Sequence, residues 1–469
     1  MDRRCAGERK HQSPAPDAKV SVWSVWMRRT KGIDFRSVVR VGGLAVVAAI
    51  LIAWPGRRDD VASARRSPLP AGRLAAPGST PDQQIAFYQA RLADHPRDAE
   101  SWNTLAVGYM RKLRESGDPG YALRAEASLR QTLRVEPRDP DAPALLAWVA
   151  LVKHDFASAR LQAGRLLRQT PDDDRLYGIQ GDAEIELGLY RDARETFQRM
   201  VDLKPGLAAY TRIAYLRELH GDVPGAIEMM RLALEAASPR DHEGLAWTRV
   251  QFGNLYLAHG NLAAAEDQYS AALRTFPGYL YALAGLGNVR AAEGRFDDAI
   301  HLYERSLAVI PLPETAATAG DVYLRAGRRG DAERLYALVE YIGKLTELNQ
   351  VVYNRELAFF YADHDRHVDR AVALAEREAA RRHDIYTTDT LAWAYSKAGR
   401  NDEADALLRR ALALGARDAR LFYHAGVIAW KQGNLPRAVH YLTQALRTNP
   451  HFHVLHADEA RRLLETLSR

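Results

Sequence analysis

The sequence predicts an all-α protein, a superhelical solenoid of antiparallel helix pairs behind one N-terminal apolar helix. Three observations lead there. Pro137, Pro171, Pro205 and Pro239 stand 34 residues apart, and Pro277 and Pro311 repeat the interval after a four-residue insertion. Small residues keep the same period: Ala159 with Ala193, Ala265 with Ala299, Ala404 with Ala438, Gly253 with Gly287, Gly260 with Gly294, and Gly399 with Gly433. Each period also holds two runs of apolar residues spaced three or four apart, the mark of a helix with one buried face. A repeat of this kind is one helix–turn–helix unit that buries its apolar face only by stacking on its neighbours.

Charge divides the chain before the repeats begin. Residues 1–80 carry fifteen Lys/Arg and six Asp/Glu, whereas the remainder carries fifty basic and fifty-three acidic residues. The net charge of +6 therefore belongs to the N-terminal segment. The repeat region lacks the basic excess of a nucleic-acid surface, so nucleic acid is not an expected partner. Residues 1–37 are basic, rich in Pro and Ser, and read as disordered. The 17 residues 38–54 hold one charge, Arg40. That is the short limit for a membrane-spanning helix, which needs roughly 17–25 residues. Arg28, Arg29, Lys31, Arg36 and Arg40 favour a cytoplasmic N-terminus, so the solenoid is expected on the far side of a bacterial cytoplasmic membrane. The alternative is a signal segment cleaved near Ala62-Ser63-Ala64. Residues 55–80 read as a flexible linker. With Cys5 as the single cysteine, no disulfide, cysteine zinc site or redox pair forms within one chain.

From residue 81 onward the helices can be taken in order. In 280–311, Leu283, Leu286 and Val289 mark a first helix, and Gly294 stands where a helix ends on positive φ. Phe296, Ala299, Ile300, Tyr303 and Leu307 mark a second helix, which Pro311 stops. Gly287 and Ala299 are small where the two helices approach closely. Ten such repeats fit between about Asp98 and Pro450, with a half-repeat at 81–96. The solenoid is placed at 81–456 and a capping helix at 457–469. Three stretches depart from the period: Arg114–Tyr121, residues 238–244, and residues 338–370. In the last, the helix through Leu338–Leu345 runs long and Asp363–Asp369 lengthens a turn. Insertions of this kind map to loops, often at a binding edge.

The pattern resembles the tetratricopeptide repeat family, which places Trp, Leu, Gly and Tyr on the first helix, Ala, Phe and Ala on the second, and then Pro. Arg249, Phe252, Gly253, Tyr256, Ala265, Tyr269, Ala272 and Pro277 follow it, as do Trp102, Leu105, Tyr109, Ala125, Leu129, Thr132 and Pro137. The resemblance implies that the superhelical solenoid is right-handed, with a concave groove lined by the first helices and the residue after the small Gly/Ala pointing into it. That phase selects Trp148, Tyr215, Asn254, Asn288, Asp321 and Trp393, with Trp430 one turn further along its helix. Asn254, Asn288 and Asp321 form a polar ladder. An asparagine offers both donor and acceptor, so a row of them can pair with an extended peptide backbone whatever its side chains. The other reading is that these residues cap or bridge neighbouring helices, and that the aromatic residues are spacers in the core.

Fifteen histidines are present, in two notable clusters. His451, His453 and His456 follow Pro450; His364 and His367 sit among Asp363, Asp365 and Asp369. Zinc takes such ligands, but turn residues of a helical array ordinarily face solvent or cap helices, so neither metal nor cofactor is expected. The sequence holds no phosphate-binding glycine loop, zinc-protease His-Glu pair or nucleophile-elbow serine. The expected function is therefore that of a membrane-tethered scaffold binding proteins or peptides, in envelope assembly or secretion, rather than an enzyme or a small-molecule receptor. A histidine-based metal protein and a purely structural oligomerisation module are the alternatives.

Overall fold

The computed structural model describes residues 80–348 and 354–468, and every element among them is helical. Helix α1 (Pro81–Asp94) stands alone at the start. Ten antiparallel pairs follow: α2 (Ala99–Ser116) with α3 (Gly120–Val135), α4 (Ala142–Val152) with α5 (Phe156–Leu167), α6 (Asp174–Glu186) with α7 (Tyr190–Leu203), α8 (Leu207–Leu219) with α9 (Val223–Glu235), and α10 (His242–Ala258) with α11 (Leu262–Thr275). The array continues with α12 (Leu280–Ala292) and α13 (Phe296–Leu307), α14 (Pro313–Arg325) and α15 (Arg329–Leu348), and α16 (Asn354–Asp363) and α17 (Val368–Ala379). It closes with α18 (Ile385–Lys397) and α19 (Asn401–Leu412), then α20 (Ala419–Lys431) and α21 (Leu435–Thr448), capped by α22 (His456–Leu467). Among the described residues no helix is long and apolar enough to cross a membrane. The segment 38–54 expected to do so lies outside them, as do residues 1–37 and most of the linker.

The turns inside the pairs show why the period holds glycine. Gly260 ends α10 at φ 70°, and Asn261 then caps α11 by accepting the Ala264 N–H. Gly221 with Asp222 and Gly433 with Asn434 repeat the device. A reversal this tight needs one left-handed residue followed by an Asx cap. Apolar faces then merge from repeat to repeat. The core runs along the array, with Phe156, Tyr269, Tyr303 and Trp393 among its fully buried side chains.

Stacking alone would give an open coil, yet here successive turns of the superhelix touch. Asn449 Nδ2 donates to the Leu257 carbonyl at 2.9 Å across 192 residues, and the Ile385 N–H donates to Tyr190 Oη at 2.9 Å across 195. The His383 N–H donates to the Glu186 carbonyl at 2.8 Å, and Arg382 pairs with Glu186 across 196 residues. The recurrence of 192–196 residues means that one superhelical turn takes between five and six repeats. The approach is close enough to require glycine for a second reason. A Cβ on Gly221 would lie 2.4 Å from the Gly415 carbonyl oxygen, and one on Gly188 would lie 2.8 Å from that of His383.

Two of the three departures from the 34-residue period lie at contacts between distant repeats. The insertion after the first helix of repeat one extends α2 to 18 residues, and the long inter-repeat turn lets α10 run to 17. The two insertions meet: Arg114 pairs with Glu243 at 2.9 Å, both side chains under 10% exposed. Gly117, at φ 73°, packs against Ile310 and Leu312.

Candidate functional site

First helices of neighbouring pairs touch one another, which places them on the inner side of the curve. On α10, α12 and α14 one unit recurs. Gly253 precedes Asn254, Gly287 precedes Asn288, and Gly320 precedes Asp321. A Cβ on these glycines would lie 2.6 Å from the Tyr269 ring, 2.7 Å from the Tyr303 ring and 2.5 Å from the Tyr336 ring. Only glycine lets the ring of the second helix lie across the first. The hydroxyl then reaches the next residue. Tyr269 donates to Asn254 Oδ1 at 2.7 Å, Tyr303 to Asn288 Oδ1 at 2.7 Å, and Tyr336 to Asp321 Oδ1 at 2.6 Å. At Gly181-Asp182 the ring is Phe197, which has no hydroxyl, and Asp182 instead takes both arms of Arg212 at 2.8–3.1 Å. A carbonyl oxygen held by a tyrosine leaves the amide N–H groups of Asn254 and Asn288 for another partner.

Those amides line a cleft of about 330 Å³. One wall is the inner face of α10, α12 and α14, with Gln251, Asn254, Tyr281, Asn288 and Thr318. The other wall is the chain's own C-terminal segment, with Phe452, His453, Ala457 and Arg461. Asn449, bonded to the Leu257 carbonyl, and Asp458, paired with Arg325, hold that segment in place. Glu314 also lines the cleft; burial pushes its carboxyl up to about 7, and its Oε2 has no hydrogen-bond partner.

The third rung is closed off. Asp321 is 2% exposed and lies under the C-terminal turn. His364 Nε2 is 2.7 Å from its Oδ1 and His453 Nε2 is 3.3 Å from its Oδ2. His364 Nδ1 faces the Phe360 carbonyl at 2.8 Å. Both ring nitrogens of His364 thus face acceptors, so both carry protons and the ring is an imidazolium. Burial alone would lower its pKa, but the Asp321 carboxylate outweighs burial and raises it to about 9. Burial likewise opposes ionisation of Asp321, and the two imidazoles overcome it, holding the carboxyl well below the usual range. His456, stacked on Tyr423 at 5.1 Å, is pushed down to about 3 by burial and is a neutral imidazole. The two histidine clusters, separate in the sequence, meet here.

The remaining residues predicted for the groove divide. Trp148 and Trp393 are each 1% exposed and belong to the core, where Trp393 stacks on His424 at 4.1 Å and donates to Asp363 Oδ1. Tyr215 is half-buried beside Glu186 and Asp384, and burial raises its pKa. Trp430 is 44% exposed at the end of α20. The sequence reading missed the tyrosine hydroxyls that engage the ladder, although the 34-residue spacing of Tyr269 and Tyr303 was the available signal.

The tetratricopeptide repeat family model matches residues 122–174, 180–242, 250–312 and 390–451, just over half of the chain. The chain belongs to the tetratricopeptide repeat family. Its repeats are similar to cellulose synthase operon protein C of Xanthomonas axonopodis pv. citri (strain 306), with 25% identity over 452 residues. That alignment covers 92% of this tetratricopeptide repeat chain and 25% of the relative, so the chain spans a quarter of the relative's length. Among solved structures, the human IFIT1 dimer with PPP-AAAA is similar at 14% identity and a TM-score of 0.45, over 78% of this chain and 87% of that one. PilW, a type IV pilus biogenesis factor, is similar at 14% identity and a TM-score of 0.38, over 46% of this chain and 96% of that one. Yeast Tom70 is similar at 12% identity and a TM-score of 0.35, over 83% and 92% respectively.

Proposed function

We propose that this chain is a protein-interaction scaffold and that an extended peptide segment binds in the cleft between α10, α12, α14 and the C-terminal turn. The observation that carries the reading is the state of Asn254 and Asn288. Each amide oxygen is engaged by a tyrosine, so each side chain is fixed in orientation and presents N–H donors to the cleft. Donors at one-repeat intervals suit the carbonyl row of an extended backbone. The reading is narrower than a ladder of three, because Asp321 is already paired.

Tethering to a bacterial cytoplasmic membrane through residues 38–54 is part of the proposal, with export after signal cleavage as its alternative. The apolar run and the basic flank support it. A role in envelope assembly or secretion draws support from the similarity to a cellulose synthase operon protein.

The test is in-cell photo-crosslinking from a benzoylphenylalanine placed at Gln251 of the full chain, with partners identified by mass spectrometry. A defined adduct should form and should disappear in Asn254→Ala/Asn288→Ala while helical circular dichroism is kept. Adduct formation that survives the double change sinks the cleft reading. Alkaline extraction of membranes separately tests the tether: full-length chain should stay in the pellet and residues 81–469 should not.

A further inference from the structure

The meeting of the two histidine clusters leaves one buried carboxylate, Asp363, with no hydrogen bond from a histidine. The His364 ring lies 2.7 Å from Asp321 Oδ1 and is engaged there. Asp363, 7% exposed, has the Trp393 indole N–H at 3.1 Å, and His453 and His456 face it. His456 Nδ1 lies 3.7 Å from its Oδ1 and His453 Nε2 lies 3.8 Å from its Oδ2. Separations of that size are too long for hydrogen bonds. They fall on different oxygens of the carboxylate, so a metal held by one of these oxygens would draw the three donors together toward the roughly 3.3 Å edge of a tetrahedron with bonds of about 2.0–2.1 Å. One donor atom from each of the three residues lies within 4.8 Å of the other two.

We propose that Asp363, His453 and His456 bind a divalent transition-metal ion of the zinc class, which fastens the C-terminal turn and α22 to α16. Two imidazoles and one carboxylate are a borderline nitrogen–oxygen set suited to zinc, whereas calcium and magnesium take oxygen ligands. A water completes the tetrahedron. Other groups already orient the ligands: Trp393 holds the Asp363 carboxylate, and Tyr423 stacks on the His456 ring. His453 has to change its proton. Its Nδ1 now accepts the backbone N–H groups of Leu455 and His456 at 3.2 and 3.3 Å, so in the metal-free chain the proton sits on Nε2. Coordination through Nε2 releases that proton to solvent and Nδ1 takes one up, so the Leu455 and His456 N–H groups have to give up their bonds to Nδ1 and pair with water instead. The net result at His453 is a change of tautomer.

The experiment uses the full chain, stripped with a chelator and titrated with Co²⁺. Visible d–d absorption of tetrahedral intensity should appear with an endpoint of one ion per chain, and Zn²⁺ should abolish it. Asp363→Asn and His456→Ala should each remove the band, whereas His451→Ala, which changes a neighbouring imidazole that supplies no donor, should keep it. If either of the first two variants fails to fold by circular dichroism, the wild-type spectrum decides by itself. A wild-type chain that takes up no Co²⁺ at micromolar concentration overturns the site. So does a band that persists in folded Asp363→Asn or His456→Ala, which marks adventitious surface histidines. Zn²⁺ should also raise the Tm of the wild type and leave His456→Ala unmoved; an equal rise in both overturns the proposal.

Discussion

Replacing Arg382 with methionine should separate the two turns of the superhelix. The guanidinium is 3% exposed. It reaches Glu186 on the preceding turn, Asp384 Oδ2 at 3.2 Å and Glu378 Oε1 at 3.5 Å. A methionine of similar length keeps the packing against Phe156 and removes the charge. Three buried carboxyl groups then lose their shared cation, with Arg355, 3.5 Å from Asp384, left to answer them. Removing one partner of a buried ion pair costs about 3–5 kcal/mol. The loss should appear as a lower urea midpoint by far-UV circular dichroism. It should also appear as a longer distance between spin labels at Arg191 and Arg381, exposed sites on either side of the contact. With Cys5 replaced, the chain holds no native cysteine to interfere with labelling. Glu186→Gln combined with Arg382→Met should recover part of the loss, since fewer carboxylates then remain unpaired. A cost below about 1 kcal/mol with an unchanged label distance would show the contact to be incidental, and the account of a bonded superhelix would fail.

Among the described residues no side chain pairs with the Glu218 carboxyl, and burial pushes it up to about 8, with Asp418 adding to the shift. The folded state therefore holds the proton more tightly than the unfolded chain. This contribution to stability is intact below the ordinary carboxyl pKa and is lost as pH rises toward 8, by roughly 2–3 kcal/mol once partial exposure is allowed for. Urea titrations at pH 5 and pH 8 should show a smaller fall for Glu218→Gln than for the wild type, and equal falls contradict the reasoning. Gly285→Ala should destabilise by about 1–3 kcal/mol in thermal or urea unfolding, because its Cβ would stand 2.4 Å from the Tyr269 ring. Tyr269→Phe removes only the hydroxyl. It should cost about 1 kcal/mol and weaken the photo-crosslink from Gln251 by freeing the Asn254 amide to rotate.

Most of the fold is legible because its causes are local. The helix pairs, the αL glycines and the capping residues follow from spacing, and even the long helix Arg329–Leu348 and the extended turn after Asp363 stand out against the period. The winding is different. Contacts such as Asn449 with Leu257 depend on a small rotation summed over between five and six repeats, and no single repeat states its angle. The insertions are visible as insertions, but that Arg114 would meet Glu243 is a property of the sum. The candidate site inherits this limit. Asn254 and Asn288 are readable from their phase; the convergence of His364 with His453 is not. Trp148 and Trp393 show a further gap, since position on the repeat does not tell whether a large ring turns into the curve or into the core.

The contacts between turns also set how the molecule answers force. An unbonded coil of repeats lengthens gradually, each joint yielding a little, and its extension follows the load. Here Glu186 with Arg382, Tyr190 with Ile385, and Leu257 with Asn449 rivet one coil to the next. Such a body stays short and stiff under tension until the rivets part, and then lengthens abruptly. A chain pulled between its N-terminal segment and a bound partner would behave as a fuse with a threshold rather than as a spring.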